Sequence, residues 1–219
     1  MNFTLSEDNE ALRDSAQAFL SKEVDLTPLK RPDATVEQAG YDRLWPKIVE
    51  LGWPSVVIPE AYGGLGMTYL DLAMIIGEMG RTLAPSPLFG TLAGAWAIEK
   101  GGSQEQKQRL LGAVVAGEMK LALAFADESG TEKLGVGVLA SKGGADWRLS
   151  GVRSFVVDAL AADKIVVAAQ VDGATRFFVV DRFAPGVTVE LLPWRDITRQ
   201  VCKVTLRDAA SELLAESGA

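Results

Sequence analysis

Hydrophobic residues recur at helical spacing over the first half of the chain and at alternating spacing over the second. Between Leu5 and Val24, the residues Leu12, Ala16, Phe19 and Leu20 fall on one face with charges between them, which predicts an amphipathic helix. Ser6 is placed to cap it, and Glu7, Asp8 and Glu10 suit the positive end of its dipole. Pro28 and Pro32 mark a loop. Further helices are expected at Tyr41–Leu51, with Pro46 near the start or at a kink, at Thr68–Met79 with Gly80 as the stop, and at Pro87–Glu99 ending at Gly101-Gly102. Ser103-Gln104-Glu105-Gln106 is an S-x-x-Q capping box that opens a fifth helix to about Ala116. Beyond Glu118 the pattern turns to short β-branched or apolar runs. Strands are expected at Leu121–Ala126, Val136–Ser141, Trp147–Ser150, Phe155–Val157, Ile165–Val171, Arg176–Val180, Val187–Leu191 and Val201–Leu206, with hairpin turns at Gly143-Gly144 and Asp172-Gly173. The expected fold is α+β: an all-helical domain over residues 1–118, then an antiparallel β-barrel over 119–219.

Composition narrows the chemistry. The chain has 219 residues and a formal charge of −7, with a sequence pI near 4.8. Such a balance repels phosphate backbones and argues against nucleic-acid binding. There is no histidine, so this chain supplies no Ser-His or Cys-His nucleophile and no histidine-ligated metal. Asp127, Glu128 and Glu132 cluster without metal-ligand spacing and read as solvated surface. The single cysteine, Cys202, sits in an alternating strand and is expected to be buried and inert; one cysteine fits a reducing cytoplasm. The acidic start Met1-Asn2-Phe3-Thr4-Leu5-Ser6-Glu7-Asp8 is unlike a signal peptide. The apolar run Thr82–Ile98 is interrupted by prolines and glycines and is short for a membrane span. Gly135-x-Gly137 lacks the third glycine and the following helix of a dinucleotide fingerprint.

The most specific wording lies at Ile58-Pro59-Glu60-Ala61-Tyr62-Gly63-Gly64-Leu65-Gly66, a proline- and glycine-rich corner between two helices. Glu60 reads there as a corner carboxylate accepting backbone N–H groups, and Tyr62 as architecture. This corner resembles that of the N-terminal helical domain of flavin-dependent acyl-CoA dehydrogenases. Gly77-Glu78-Met79-Gly80-Arg81, Gly151-Val152-Arg153-Ser154-Phe155-Val156-Val157, and Phe177-Phe178-Val179-Val180-Asp181 followed by Pro185-Gly186-Val187 resemble further segments of that family in the same order.

The resemblance implies α,β-dehydrogenation of an acyl-CoA thioester, with the β hydrogen passing as hydride to FAD. It implies electron-transfer flavoprotein or a similar acceptor as a partner, and a homo- or hetero-oligomer. It places Phe125, Ala126, Phe155, Val156 and Val157 against the flavin, and Ser129 and Thr131 toward substrate. The family's side-chain hydroxyls at the flavin edge are replaced: Ala126 stands where Thr is usual, Val157 where Thr or Ser is usual, and Glu128 where Pro is usual. The family's C-terminal helical bundle, which carries the catalytic glutamate, is expected to lie outside these residues. No catalytic residue is therefore assigned within them, and the isolated chain is expected to be inactive. The apolar helix carrying Leu88, Phe89, Leu92, Trp96 and Ile98 is expected to expose an apolar patch in the absence of that bundle. Arg195, Arg199 and Arg207 are candidates for CoA phosphates or ordinary surface charge. A second reading, from a different class, is a non-catalytic structural or binding subunit of a heteromeric acyl-CoA dehydrogenase.

Overall fold

Local capping sets where the helices begin. A computed structural model of the chain describes residues 4–31, 33–36, 40–129, 137–144 and 146–215. Helix α1 spans Glu7–Glu23, and Ser6 Oγ accepts from the Asn9 N–H at its start. Helix α2 spans Tyr41–Glu50 with Pro46 inside it. Helix α3 spans Tyr69–Thr82, opened by a reciprocal Thr68–Asp71 capping box; Asn9 Nδ2 also donates to Asp71, tying α1 to α3. Helix α4 spans Leu88–Gly101, and α5 spans Gln104–Val115 behind the Ser103–Gln106 box.

Gly80 does not stop α3. The helix continues to Thr82 and ends at Leu83, which adopts a left-handed φ of 51°. A glycine only lowers helix propensity, and the buried Met79 holds that turn against the core. The corner at 58–66 is closed by backbone: Gly63 N donates to Glu60 O, Gly64 N to Pro59 O, and Gly66 N to Ile58 O. Among the described residues the Glu60 carboxylate accepts no hydrogen bond; it is exposed, which corrects its expected capping role. Gly64 is required by close approach, since a methyl there would sit 2.0 Å from the Ile58 carbonyl oxygen.

Among the described residues the second half forms seven strands rather than eight: β1 Leu121–Ala124, β2 Val138–Gly143, β3 Asp146–Val157, β4 Lys164–Val171, β5 Ala174–Asp181, β6 Val187–Leu191 and β7 Val201–Leu213. The expected strands at 147–150 and 155–157 are one strand, β3. Its irregularities between Leu149 and Gly151 and between Arg153 and Val156 are bulges against β7, and a bulge carries the same sequence marks as a turn. The sheet closes as a barrel, β4–β2–β3–β7–β5 and back to β4, with β6 laid against β7. β1 runs parallel to β4, as does the short β2–β4 contact; the other pairings are antiparallel. The β4–β5 turn at Asp172-Gly173 has positive φ at both residues, as a two-residue hairpin requires.

Three apolar clusters fill the interior. One lies among α1–α4 with Leu20, Ile48, Ile75 and Leu88, and one inside the barrel with Val156, Val167, Phe178 and Val204. The third joins them, packing Ile98, Leu110 and Val114 on Leu121, Val166 and Leu214. Each large side chain buried in that third cluster contributes roughly 1.5–3 kcal/mol to holding barrel and helices together. The same face carries polar ties. Thr91 Oγ1 accepts from Leu121 N. Gln106 Nε2 donates to Glu212 and to the Leu213 carbonyl, Ala215 N donates back to Gln106, and Arg109 grips Glu212 at 2.7 Å. Among the described residues no helix is long and apolar enough to cross a membrane.

Gly64→Ala should lower stability by more than about 2 kcal/mol, because the methyl must displace backbone. Gly77, inside α3, has open space at its Cβ position, so Gly77→Ala should raise stability by about 0.5–1 kcal/mol. Urea midpoints of the two variants decide this, and equal midpoints would refute the corner's steric role.

Candidate functional site

At the end of β1 the chain passes beside the bulge in β3, where Ser154 N donates to Ala126 O at 3.1 Å. The bulge puts Phe155 at a left-handed φ of 57°. A bulky residue in that region costs on the order of 1–3 kcal/mol. The conformation turns the Phe155 ring outward, to 40% exposure, while its neighbours Ser154 and Val156 are buried at 5% and 1%. Phe125 is also exposed, at 45%, and Trp194 at 50%. The Trp194 ring, from the β6–β7 connection, lies 6.2 Å from that of Phe155 and is tilted by 57°. The result is an apolar aromatic ledge on the barrel wall, with Ala126 and Val157 half-buried beside it.

The sequence-predicted residues divide accordingly. Ala126 lies beside the Phe155 bulge through its bond to Ser154, and Phe125 and Val157 adjoin these segments in sequence. The Val156 side chain belongs to the barrel core, so only its backbone reaches that surface. Ser129 is exposed, and its N–H and hydroxyl both bond Asp127. Thr131 lies outside the described residues. Of the arginines, Arg199 is half-buried and donates to Ser86 O at 3.1 Å, whereas Arg195 and Arg207 are exposed. Glu128 pairs with Lys203. Cys202 is buried, and burial raises its thiol pKa to about 11.

Behind the ledge, Asp158 is fully buried at a left-handed φ of 63°. Its Oδ2 accepts from Gly90 N at 3.0 Å, and its Oδ1 accepts from Tyr41 Oη at 3.1 Å. Tyr41 Oη in turn accepts from Gln200 N, and Asp158 N donates to Gln200 O. Burial raises the Asp158 carboxyl to about 6, against the opposing pull of Arg199, the Gly90 N–H and Tyr41. Arg153, one strand position before Ser154, is also fully buried; its Nε and Nη2 both donate to the Ala168 carbonyl, and desolvation lowers its pKa.

A second apolar feature lies on the helices. α3 and α4 flank a groove of about 340 Å³ lined by Tyr69, Leu72, Ile76, Phe89, Leu92 and Trp96. Phe89 and Trp96, seven positions apart on one helix face, are each about half exposed, whereas Leu88, Leu92 and Ile98 are buried. The expected patch is therefore present, but narrower than the whole helix.

The family model for the acyl-CoA dehydrogenase N-terminal domain matches residues 6–118. This chain belongs to the acyl-CoA dehydrogenase family. A probable acyl-CoA dehydrogenase of Bacillus subtilis is 34% identical over 153 residues, which cover 67% of this chain and 26% of that protein. Among solved structures, the ChsE4–ChsE5 complex from Mycobacterium tuberculosis contains a chain with a TM-score of 0.84 and 26% identity, covering 99% of this chain and 59% of that one. The Tcur3481–Tcur3483 steroid ACAD gives a TM-score of 0.83 and 30% identity, covering 97% and 58%. The chain thus spans between 26% and 59% of the length of these relatives.

Tyr41, Asp158 and Trp194 escaped sequence reasoning. Tyr41 and Asp158 are 117 positions apart, and nothing local joins them. The one available signal was an acid directly following the apolar run Phe155-Val156-Val157. Asp158 also gives this acyl-CoA dehydrogenase-family chain a pH signature. The carboxyl titrates near 3.8 when unfolded and near about 6 when folded. Its contribution is therefore full below pH 4 and is lost as the pH rises through 6, by about 3 kcal/mol at 1.36 kcal/mol per unit. Carboxylates held low, such as Asp71 bonded by Thr68, act in the opposite sense, so the difference between proteins is the useful quantity. The stability of Asp158→Asn relative to the native chain should rise between pH 4 and 7 and then level off, as measured by urea unfolding. A difference independent of pH would exclude a raised Asp158 pKa.

Proposed function

We propose that the chain forms the helical domain (residues 1–118) and middle β domain (119–219) of an acyl-CoA dehydrogenase-type flavoprotein, with the aromatic ledge as the wall against which FAD rests. The observation that carries this reading is the bulge that turns Phe155 outward beside Trp194 and the Ala126 backbone in a chain of this family. An uncommon backbone conformation that exposes a large ring points to a surface shaped for contact. The residues present fit a flat ring system: Phe155 and Trp194 offer apolar area and exclude water, and Phe125 and Ala126 bring backbone close to that surface. FAD, when bound, supplies hydride acceptance. Ser129 and Thr131 are assigned to the thioester side. The glutamate that removes the α proton is assigned to helical sequence outside these 219 residues, on the same polypeptide or on another subunit. An acyl-CoA is the proposed substrate, electron-transfer flavoprotein or a similar protein the acceptor, an oligomer the working form, and the cytoplasm the location.

One observation favours the second reading, a non-catalytic structural or binding subunit of a heteromeric enzyme. Ala126 and Val157 carry no hydroxyl, so the ledge lacks two side-chain hydrogen bonds to the edge of a bound ring. A solved relative, the ChsE4–ChsE5 complex, pairs two different chains.

The two readings separate spectroscopically. If the pocket is in use, the chain purified with its partner subunit shows flavin absorbance that bleaches on addition of acyl-CoA. If the pocket is eroded, the native chain binds no flavin, and the double variant Ala126→Thr with Val157→Thr tightens FAD binding by one to two orders of magnitude, roughly the yield of two recovered hydrogen bonds. Failure of both the native chain and the double variant to bind flavin in any assembly would remove the flavoprotein reading.

A further inference from the structure

Helix α4 is capped locally at one N–H only, where Ser86 Oγ accepts from Leu88 N at 3.2 Å. Its N-cap residue, Pro87, makes no side-chain hydrogen bond to the first turn. The group that takes the Gly90 N–H is Asp158, from the other domain. Gly90 makes this approach possible: a methyl on it would sit 2.9 Å from Asp158 Cβ and 3.1 Å from the Val157 carbonyl oxygen. The second carboxylate oxygen is held by Tyr41 of α2. Both side-chain oxygens of Asp158 are thus engaged by the helical domain, while its backbone continues the ledge strand. The carboxylate also meets the positive end of the α4 dipole. The charged and titratable groups around it are Tyr41, Arg199 and Cys202, and Arg199 is itself bonded to Ser86, just before α4.

The ledge strand needs such a hold. Phe155 and Asp158 both lie in the left-handed region, on either side of Val156-Val157. Side chains other than glycine rarely occupy that region, and do so when surrounding contacts determine it. At the Phe155 end the Ser154–Ala126 bond supplies the constraint. At the other end it is the Asp158 carboxylate.

We propose that Asp158 is the positioning residue of the ledge, capping α4 across the domain seam so that the first turn of α4 and residues 155–157 are held as one unit. The meaning of this for flavin rests on the reading given under Proposed function; the coupling itself does not. The test is hydrogen exchange on the full chain, followed by mass spectrometry. In Asp158→Ala, protection should fall about tenfold or more, together, at Leu88–Thr91 and at Phe155–Val157, with α1 and β5 unchanged. Asp158→Asn, whose amide oxygen still accepts from Gly90 N, should retain protection in both segments. Loss confined to α4 would overturn the proposal. If Asp158→Ala unfolds globally, Tyr41→Phe decides: a smaller loss shared by both segments supports the coupling, and loss in one segment alone overturns it. FAD titration of the same proteins keeps the two readings apart. Where the native chain binds FAD, Asp158→Ala should weaken it about tenfold and Asp158→Asn far less; equal affinity would overturn the role in flavin positioning. Where the native chain binds none, the site is not in use as it stands, the eroded-site reading passes to the double variant, and the exchange result still decides the coupling.

Discussion

A carboxylate removed from water must be repaid locally, and the seam between helices and barrel is organised around that requirement. An ionised acid buried alone carries a penalty of several kcal/mol. Asp158 offsets it with a backbone N–H from α4, a phenol from α2, the dipole of α4 and the nearby guanidinium of Arg199. An apolar contact of similar size would hold the domains together as strongly. What it would lack is direction. One carboxylate bonded by Gly90 of α4 and by Tyr41 of α2 gives the seam a directional contact at the end of β3.

Direction matters because that strand is irregular where the ledge forms. A regular β3 would alternate its side chains, and the Ser154–Val156 stretch would present a different face to solvent. The bulge breaks the alternation and sets Phe155 outside while Val156 remains in the core. Beneath it, Arg153 fills barrel interior and bonds the Ala168 carbonyl twice. Such a buried cation resists repacking, because losing its carbonyl partner would leave a charge without compensation. The ledge therefore stands on a specified polar contact as well as on apolar packing.

The features legible in sequence were those encoded within a few residues. Ser6, Thr68 and Ser103 each cap a helix as their local pattern indicates, and Asp172-Gly173 turns a hairpin. The order of helical and β halves followed from the change of hydrophobic period near Glu118. What local pattern could not distinguish was a turn from a bulge, so β3 read as two strands and β7 as half its length. The parallel placement of β1 beside β4 was hidden for a related reason: register between strands some forty residues apart leaves no local mark. At the site, the resemblance brought forward Ala126 and Phe155, whose segments meet through the Ser154–Ala126 hydrogen bond. Trp194 and the Asp158 cluster depend on contacts across the fold, and Tyr41 meets Gln200 across 159 positions.

The Gln106–Glu212–Arg109 contacts have a mechanical consequence when taken with the Asp158 cluster. They fasten the last strand of the barrel to α5, while Asp158 fastens the end of β3 to α4. Two separated mounting points leave only rotation about the line that joins them, and the packing of Ile98, Leu110 and Val114 on Leu121 and Val166 opposes that rotation. Bending bundle from barrel would require both sets of bonds to break at once. Helices and barrel are therefore joined as one block, and these residues form the stationary jaw of a vise.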